Sequence, residues 1–317
     1  MNAWQAALAG VEATALDCVQ ANLAVLADYS HGGGTHRRLG APLRFPFDRP
    51  IDTSLPTVEQ ALSRHVADAH ALTGVRLHGI DEPRTIERAF QLLDAAAGDR
   101  TGALYVVADA YTLPWCPYSG HQHMSHSFLL VPGQGAKGVV VDAYHNDTPY
   151  GPARPDDWTL DRDELIQGLS GQPIRVGEVE AVPTVPPDPA DVLRRNASHL
   201  NKAQPRMGEF VQAYRDHADP LAAAEALMLE TWLLARSRLL HGRWLSDAVP
   251  ARLSEPFARH AEAWTQFAGH CYLAVRRLRR GREAPADLYD VLSSLLEEDV
   301  RHASRLAGAP SSSFTAA

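Results

Sequence analysis

The 317-residue chain has little of several residues that mark particular protein classes. It contains only three cysteines, so we predict no disulfide framework and expect a reducing, cytoplasmic setting. No run of about 18 apolar residues occurs, which predicts no membrane span or membrane partner, and residues 1–10 lack the basic residue of a signal peptide. Lysine occurs twice, at Lys137 and Lys202, and the net charge of −8 does not suggest a nucleic-acid partner.

What remains is a chain large enough for two domains. Hydrophobic residues make up 45% of it, enough for a sizeable core. Four prolines between Pro183 and Pro189 indicate a linker. We therefore predict an α+β domain at residues 1–182, a linker at 183–190 and an all-α helical bundle at 191–317.

The first domain is predicted to pack helices on an antiparallel sheet. Runs typical of strands lie at residues 74–79, 103–108, 127–131, 139–141 and 174–182. Apolar residues at helical spacing predict helices at residues 57–71, 83–97 and 161–169. Residues 132–138 are rich in glycine and predict a hairpin connection between the third and fourth runs.

The second domain is predicted to be helical. The clearest helix lies at residues 257–278, where apolar side chains recur at alternating spacings of four and three. Cys271 falls on this stripe, which favours a buried, structural role for its thiol. Further helices are predicted at residues 221–240 and 286–306.

Cys18 lies where a helix is predicted to begin. Asp17 is a good N-cap residue, and the apolar residues that follow predict a helix ending near Tyr29, before the glycines at 32–34. Unpaired N–H groups and the helix dipole favour a thiolate on the first turn. Cys18 is therefore a candidate nucleophile, although most free cysteines are simply buried.

His126 and Asp142 are the candidate partners of Cys18. His126 opens one predicted strand and Asp142 closes its hairpin neighbour, so antiparallel pairing brings them together. In this hypothesis Cys18 attacks, His126 takes its proton, and Asp142 fixes the imidazole tautomer and stabilises the imidazolium. Backbone N–H groups at the helix start are candidate oxyanion donors.

Two alternative sites stay open at this stage. Imidazoles suit zinc or copper, and a metal cluster would use His121, His123, His126 and His145. Cys116 is an alternative nucleophile, but it precedes a proline and has no helix start behind it. Asp109 and Asp147 are alternative orienting acids with less specific positions.

The order of these motifs resembles the butirosin biosynthesis protein H family. It comprises Asp-Cys at a helix start, the segment Asp109–Trp115, a proline- and tyrosine-bearing loop, His-x-x-His-Ser-Phe-Leu-Leu-Val, and Val-Val-Val-Asp. These are acyltransferases of natural-product clusters with a papain-like core, distantly similar to the peptidases that trim bacteriocin leaders. The resemblance covers residues 14–150, and the helical second domain fits the family's architecture.

The resemblance implies the same three roles for Cys18, His126 and Asp142. It implies no cofactor and no metal. Papain-like enzymes usually have an upstream glutamine in the oxyanion hole, and neither Gln5 nor Gln20 is assigned to that role from the sequence.

The function expected from this resemblance is acyl transfer in antibiotic biosynthesis. Cys18 would take an acyl group from an acyl carrier protein thioester and pass it to the amine or hydroxyl of a small-molecule acceptor. The five arginines at residues 276–282 are either a docking site for an acidic carrier or the solvated end of a long helix. The alternatives are a thioester hydrolase, peptidase or cyclase with the same triad, and a carrier-binding scaffold without activity.

Overall fold

A computed structural model describes residues 3–49, 55–96, 102–135 and 137–310. The chain is α+β with an antiparallel sheet, which confirms the predicted class at that level. It divides into two compact units, each with its own core. The first unit consists of residues 1–39 and 61–186, and the second of residues 40–60 and 187–317.

Five α-helices are described in the first unit. They are α1 (Ala3–Gly10), α2 (Cys18–His31), α3 (Leu62–Thr73), α4 (Ile86–Ala95) and α5 (Arg162–Leu169). α2 begins as predicted and ends two residues later than Tyr29, where Gly32 adopts a φ of 97°. The helix predicted at 57–71 begins only at Leu62, because Thr57 forms a β-bridge with Asp48 instead.

The strands of the first unit form a seven-stranded sheet and a small separate hairpin. They are β1 (Val75–His78), β2 (Pro83–Arg84), β3 (Leu104–Asp109), β4 (Ser125–Pro132), β5 (Lys137–Asp142), β6 (Asn146–Thr148), β7 (Gly151–Ala153), β8 (Asp156–Asp161) and β9 (Ile174–Ala181). The large sheet has the order β1-β9-β3-β4-β5-β8, with β2 on β9, and every pairing is antiparallel. The five predicted strands are confirmed, whereas β2, β6, β7 and β8 were missed.

The predicted hairpin of β4 and β5 organises the sheet. Leu129 pairs with Val141 and Pro132 pairs with Gly138, so the start of β4 and the end of β5 lie side by side at the open end of the hairpin. β3, β4 and β5 supply core side chains such as Val106, the fully buried Phe128 and Val140. α2 packs against β4 and β5 in this part of the sheet.

In the part of the second unit that the structure describes there are four long helices. They are α6 (Pro189–Arg215), α7 (Pro220–Ala248), α8 (Ala251–Leu278) and α9 (Leu288–Ala307). The helices predicted at 221–240, 257–278 and 286–306 correspond to the last three. The Pro-rich segment 183–188 has no regular secondary structure and lies between β9 and α6.

Residues 40–49 and 55–60 also belong to the second unit, although the predicted boundary at 182 counted them with the first domain. Asn196 on α6 donates to the carbonyl of Ala41, and Tyr214 donates to that of Pro56. Glu230 on α7 accepts from the amide of Val58 at 2.6 Å. These bonds join positions at least 155 residues apart, which local composition does not signal.

Candidate active site

Cys18 is the first residue of α2 and is partly exposed. The Asp17 carboxylate caps the helix by accepting from the amides of Val19 at 2.9 Å and Gln20 at 2.7 Å. The Cys18 thiol therefore lies at the positive end of the helix dipole, where a thiolate is stabilised.

The hydrogen bonds of this N-cap and first turn occupy several backbone N–H groups that were candidate oxyanion donors. The amides of Val19 and Gln20 are taken by the carboxylate of Asp17, and the amide of Ala21 donates to the carbonyl of Asp17 at 2.9 Å. These three N–H groups are therefore satisfied within the helix. The expectation that amides of this turn bind an oxyanion does not hold for them.

Two side chains from the sheet fasten the first turn of α2. Ser127 on β4 donates from Oγ to the carbonyl of Cys18 at 2.6 Å. Tyr105 on β3 donates from its hydroxyl to the carbonyl of Val19 at 3.1 Å. Burial raises the pKa of Tyr105 well above its usual value, so the phenol stays a donor. The backbone of Cys18 is thus hydrogen-bonded directly to Ser127, the residue after His126.

His126 and Asp142 form the buried pair that the hairpin predicted. Nε2 of His126 lies 2.6 Å from Oδ2 of Asp142. The His126 side chain has no solvent exposure and that of Asp142 is 6% exposed. The two strands therefore place an imidazole and a carboxylate in contact beside the start of α2.

The surroundings of Asp142 keep its carboxyl group ionised. Burial would raise the pKa of Asp142, but the charge and hydrogen bond of His126 outweigh it, and the pKa is lowered. The amide of Tyr144 donates to Oδ1 at 2.9 Å, and Nε1 of Trp115 donates to Oδ2 at 3.2 Å. Because an ionised carboxylate only accepts, Nε2 of His126 must carry the proton in this bond.

The other ring nitrogen of His126 has no such partner. Nδ1 is buried and has no hydrogen bond to any residue that the structure describes. When Nε2 holds the only ring proton, Nδ1 carries a lone pair, which is what a general base needs. The buried pair of His36 and Asp28 differs, because Nε2 of that imidazole accepts from the amide of Glu12 at 3.3 Å.

Asn22 connects the three segments and was missed in the sequence. It lies one turn after Cys18 and is fully buried. Its Nδ2 donates to the carbonyl of Ser127 at 2.8 Å, and its Oδ1 accepts from the amide of Ala143 at 3.0 Å. A polar residue inside the apolar run Ala21–Ala27 is the signal that would have marked it, because buried amides need partners.

The other two cysteines lie in environments that disfavour a thiolate. Burial raises the pKa of Cys116 to about 11, and burial raises that of Cys271 to about 11. Cys271 lies within the buried face of α8, as predicted.

The histidines in and just after the loop before β4 each contact a different residue. His121 stacks on Tyr150 at 4.6 Å between ring centroids. His123 bonds through Nδ1 to Asp109 at 2.5 Å, while His126 bonds to Asp142. In the ranges the structure describes, no three histidine, cysteine, aspartate or glutamate side chains group as metal ligands.

The remaining candidates have partners elsewhere. Asp147 pairs with Arg154 at 2.5 Å, and this bond, with a smaller effect of His145, lowers the pKa of Asp147. Gln5 donates from Nε2 to Asp157 at 3.1 Å. The carboxylate bonded to His126 is that of Asp142, as predicted. The side-chain amide of Gln5 is bonded to Asp157 on β8.

Comparison with family models and with curated proteins found no match to this chain. Among the described helices, none is both long and apolar enough to cross a membrane.

Proposed function

We propose that the protein is a cysteine-dependent acyltransferase of natural-product biosynthesis. The observation that carries this proposal is the pair of contacts at His126: Nε2 is bonded to an ionised carboxylate, and the buried Nδ1 has no hydrogen bond to the described part of the chain. The residue that follows it, Ser127, bonds to the backbone of a cysteine at a helix start. A nucleophile, a base and an orienting acid in this arrangement support covalent acyl chemistry.

In the first half-reaction, Nδ1 of His126 takes the proton from Sγ of Cys18. The thiolate adds to the carbonyl carbon of the donor thioester, and a tetrahedral oxyanion forms. The carbon–sulfur bond to the donor then breaks, and the departing thiolate takes the proton from His126. A thiolate is a good leaving group, so a cysteine–histidine pair suffices for this step.

In the second half-reaction, the amine or hydroxyl of a small-molecule acceptor attacks the acyl-cysteine. Nδ1 of His126 takes the proton of the attacking group, and Asp142 stabilises the imidazolium that forms. Collapse of the tetrahedral adduct breaks the bond to Sγ, and the proton returns to Cys18. The product is an amide or ester, and the enzyme is restored.

The finer fold assignment belongs to this proposal. A helix that carries cysteine at its start, with an antiparallel sheet that supplies histidine and then aspartate, supports a papain-like core. The motif order of residues 14–150 adds the resemblance to the butirosin biosynthesis protein H family. We propose the same setting for this chain, a cytoplasmic enzyme of antibiotic biosynthesis with an all-α second domain.

We propose an acyl carrier protein as the donor of the acyl group. The end of α8 and the turn after it carry arginines at positions 276, 277, 279, 280 and 282, a surface suited to an acidic partner. Arg279 is paired with the exposed Glu225 at 2.8 Å, and Arg276 lies over the ring of Tyr272. Reversing the charge of Arg280 tests this surface through the salt dependence of carrier binding.

The test of the acyltransferase proposal is intact-protein mass spectrometry. The wild-type protein is mixed with acyl thioesters of N-acetylcysteamine and of a carrier protein. We expect a mass increase equal to the acyl group, its loss in Cys18→Ala, and a much slower increase in His126→Ala. Cys116→Ala is the matched control and keeps the mass shift. Acylation that survives in Cys18→Ala contradicts the proposal.

Labelling with iodoacetamide separates an enzyme from an inactive scaffold. At pH 8 a thiol with a pKa of about 11 is ionised to only about one part in a thousand, so Cys116 and Cys271 react slowly. We expect label at Cys18 first, located by mass mapping. A Cys18 that is no more reactive than these two would contradict the enzyme and favour the scaffold.

A further inference from the structure

Tyr144 packs against the candidate base, His126. Its ring packs edge to face on the imidazole of His126, with 5.2 Å between centroids. Its amide is bonded to Asp142, so its backbone is fixed by the same carboxylate that orients the base. Tyr144 is buried, and burial, more than the smaller effect of a negative charge on Cys18, raises the pKa of its hydroxyl.

A small group of polar side chains surrounds this hydroxyl. Asn146 on β6 donates from Nδ2 to the oxygen of Tyr144 at 3.0 Å. The hydroxyl of Tyr118 interacts with that of Tyr144. Burial, then Tyr118, raises the pKa of Tyr144 far above the usual value of a phenol, so this side chain is a neutral donor and acceptor at physiological pH.

An aromatic surface continues from this group towards solvent. The ring of Tyr118 packs on that of Tyr150, with 5.9 Å between centroids. Tyr150 in turn stacks flat on His121 and is 43% exposed. Tyr150 lies in the β6–β7 turn, which is fixed because Thr148 donates from Oγ1 to the carbonyl of Gly151 and accepts from the amide of Tyr150.

We propose that Tyr118, Tyr144 and Asn146 bind the acceptor substrate, holding its attacking amine or hydroxyl against Nδ1 of His126. The acceptor is then a polar molecule with at least one further hydrogen-bonding group. The flat faces of Tyr150 and His121 receive its apolar part nearer the surface. This inference rests on the acyltransferase proposal, and it adds where the second substrate binds.

The chemistry of the two half-reactions explains why this group serves the acceptor more than the donor. Thioester sulfur is a weak hydrogen-bond acceptor and leaves without help, so a phenol beside it contributes little to acylation of Cys18. An amine or hydroxyl nucleophile both donates and accepts, and it must be aligned with Nδ1 before its proton can move. Loss of the hydroxyl of Tyr144 should therefore slow the second step selectively.

The test measures the two half-reactions separately by intact mass. Acyl-Cys18 is formed with an N-acetylcysteamine thioester and freed of excess reagent. Its loss is then followed with 2-aminoethanol and with water alone, since both supply a nucleophile whose proton passes to His126. We expect Tyr144→Phe to change the acylation rate by less than about threefold and to slow the loss of acyl-enzyme by about 10- to 100-fold.

Two controls accompany this test. Tyr111→Phe removes a phenol that stacks on His123, outside the proposed group, and should leave both rates unchanged. The rate of iodoacetamide labelling at Cys18 should be the same in Tyr144→Phe as in wild type, which verifies the fold and the nucleophile.

The outcomes separate this inference from the function on which it rests. An acyl-enzyme with the same lifetime in wild type and Tyr144→Phe overturns the acceptor site and leaves the acyltransferase proposal standing. Equal slowing of both half-reactions also overturns the acceptor site, because Tyr144 would then serve the triad as a whole. Wild-type protein that no thioester acylates overturns both proposals together.

Discussion

Two of the buried histidine–aspartate pairs, one taken from each unit, show what distinguishes the candidate site from a structural contact. Nε2 of His126 lies 2.6 Å from Asp142 in the first unit, and Nε2 of His260 lies 2.8 Å from Asp299 in the second. All four side chains are nearly or fully buried. Distance and burial alone therefore do not identify a catalytic pair.

The indole contacts do not distinguish them either. Trp115 donates to Asp142 and Trp264 donates to Asp299, each from Nε1 at 3.2 Å. The difference lies in charge, because Arg238 donates to Asp299 at 2.6 and 3.0 Å. That guanidinium supplies the positive charge that Asp299 needs.

The two pairs also differ in what lies beside the imidazole. His126 has an unbonded Nδ1 and a cysteine at a helix start nearby. His260 stacks on His302, whose pKa burial lowers to about 4, and the cysteine of that unit is inside a helix with a raised pKa. The second pair, with Arg238, joins α7, α8 and α9, whereas we propose a catalytic role for the first.

Replacing the carboxylates tests this difference most strongly. Asp142→Asn keeps the shape of the site but removes the charge that stabilises the imidazolium, so we expect acylation of Cys18 to slow by about 10²- to 10⁴-fold. Asp28→Asn alters the satisfied pair with His36 in the same unit and serves as the matched control. We expect Asp28→Asn to slow acylation by less than about tenfold. Similar losses of acylation rate in the two variants would mean that the His126–Asp142 pair is no more important for the reaction than the His36–Asp28 pair.

The next largest effect concerns stability. Arg238→Met leaves Asp299 buried without its cation, and breaking a buried pair costs about 3–5 kcal/mol. Urea unfolding should show this loss as a lower free energy of unfolding of the second unit. The rate of Cys18 acylation in the folded protein should be unchanged. Arg279→Met, which removes an exposed pair with Glu225, should cost less than about 1 kcal/mol. Equal losses of unfolding free energy in the two variants would mean that the buried pair of Arg238 stabilises the protein no more than the exposed pair of Arg279.

Asn22 and its counterpart Asn196 provide a matched pair of buried amides. Each donates to a backbone carbonyl, that of Ser127 at 2.8 Å and that of Ala41 at 2.9 Å. Either change to alanine leaves a buried group unpaired and should cost about 1–3 kcal/mol. Asn22→Ala alone should also slow acylation, by about 10- to 100-fold, because it loosens the helix start against β4 and β5. A rate loss in Asn196→Ala would contradict this assignment.

The strands and most helices could be predicted because local pattern decides them. The apolar, β-rich runs of β4 and β5 and the glycine-rich turn between them predicted both strands and their pairing, and with it the contact of His126 and Asp142. β6 and β7 were missed because three residues each, Asn146–Thr148 and Gly151–Ala153, carry no period. Residues 40–49 and 55–60 group with the second unit and not with the predicted first domain, because their hydrogen-bond partners are distant in sequence.

The candidate site was predictable only in its reactive groups. Cys18, His126 and Asp142 are chemically marked residues at element ends, which a sequence displays. Asn22 contacts a segment more than 100 residues away. The hydroxyl of Tyr144 has neighbours from a loop and from a hairpin. No period or spacing reports such contacts, so the structure was needed to find them.

The smallest expected effect concerns Glu230 and the pH dependence of the second unit. Burial raises the pKa of Glu230 to about 7 from an ordinary value of 4.5, although it accepts from Thr57 and Val58. Between these values the folded state holds a proton that the unfolded state has lost. Stability must therefore fall as pH rises from about 4.5 to 7.

Glu230→Gln removes this titration and keeps an oxygen that accepts from Val58. We expect the variant to be more stable than wild type at pH 8 by about 1–2 kcal/mol, with a flat urea profile between pH 5 and 7. Asp299 titrates in another range: its lowered pKa means that its contribution is present above about pH 4 and lost below it. If the buried charges of the second unit contribute to stability alone, Glu230→Gln leaves the pH profile of Cys18 acylation unchanged. A shifted profile would show that a buried charge of the second unit affects the reaction, contrary to the distinction between the two units.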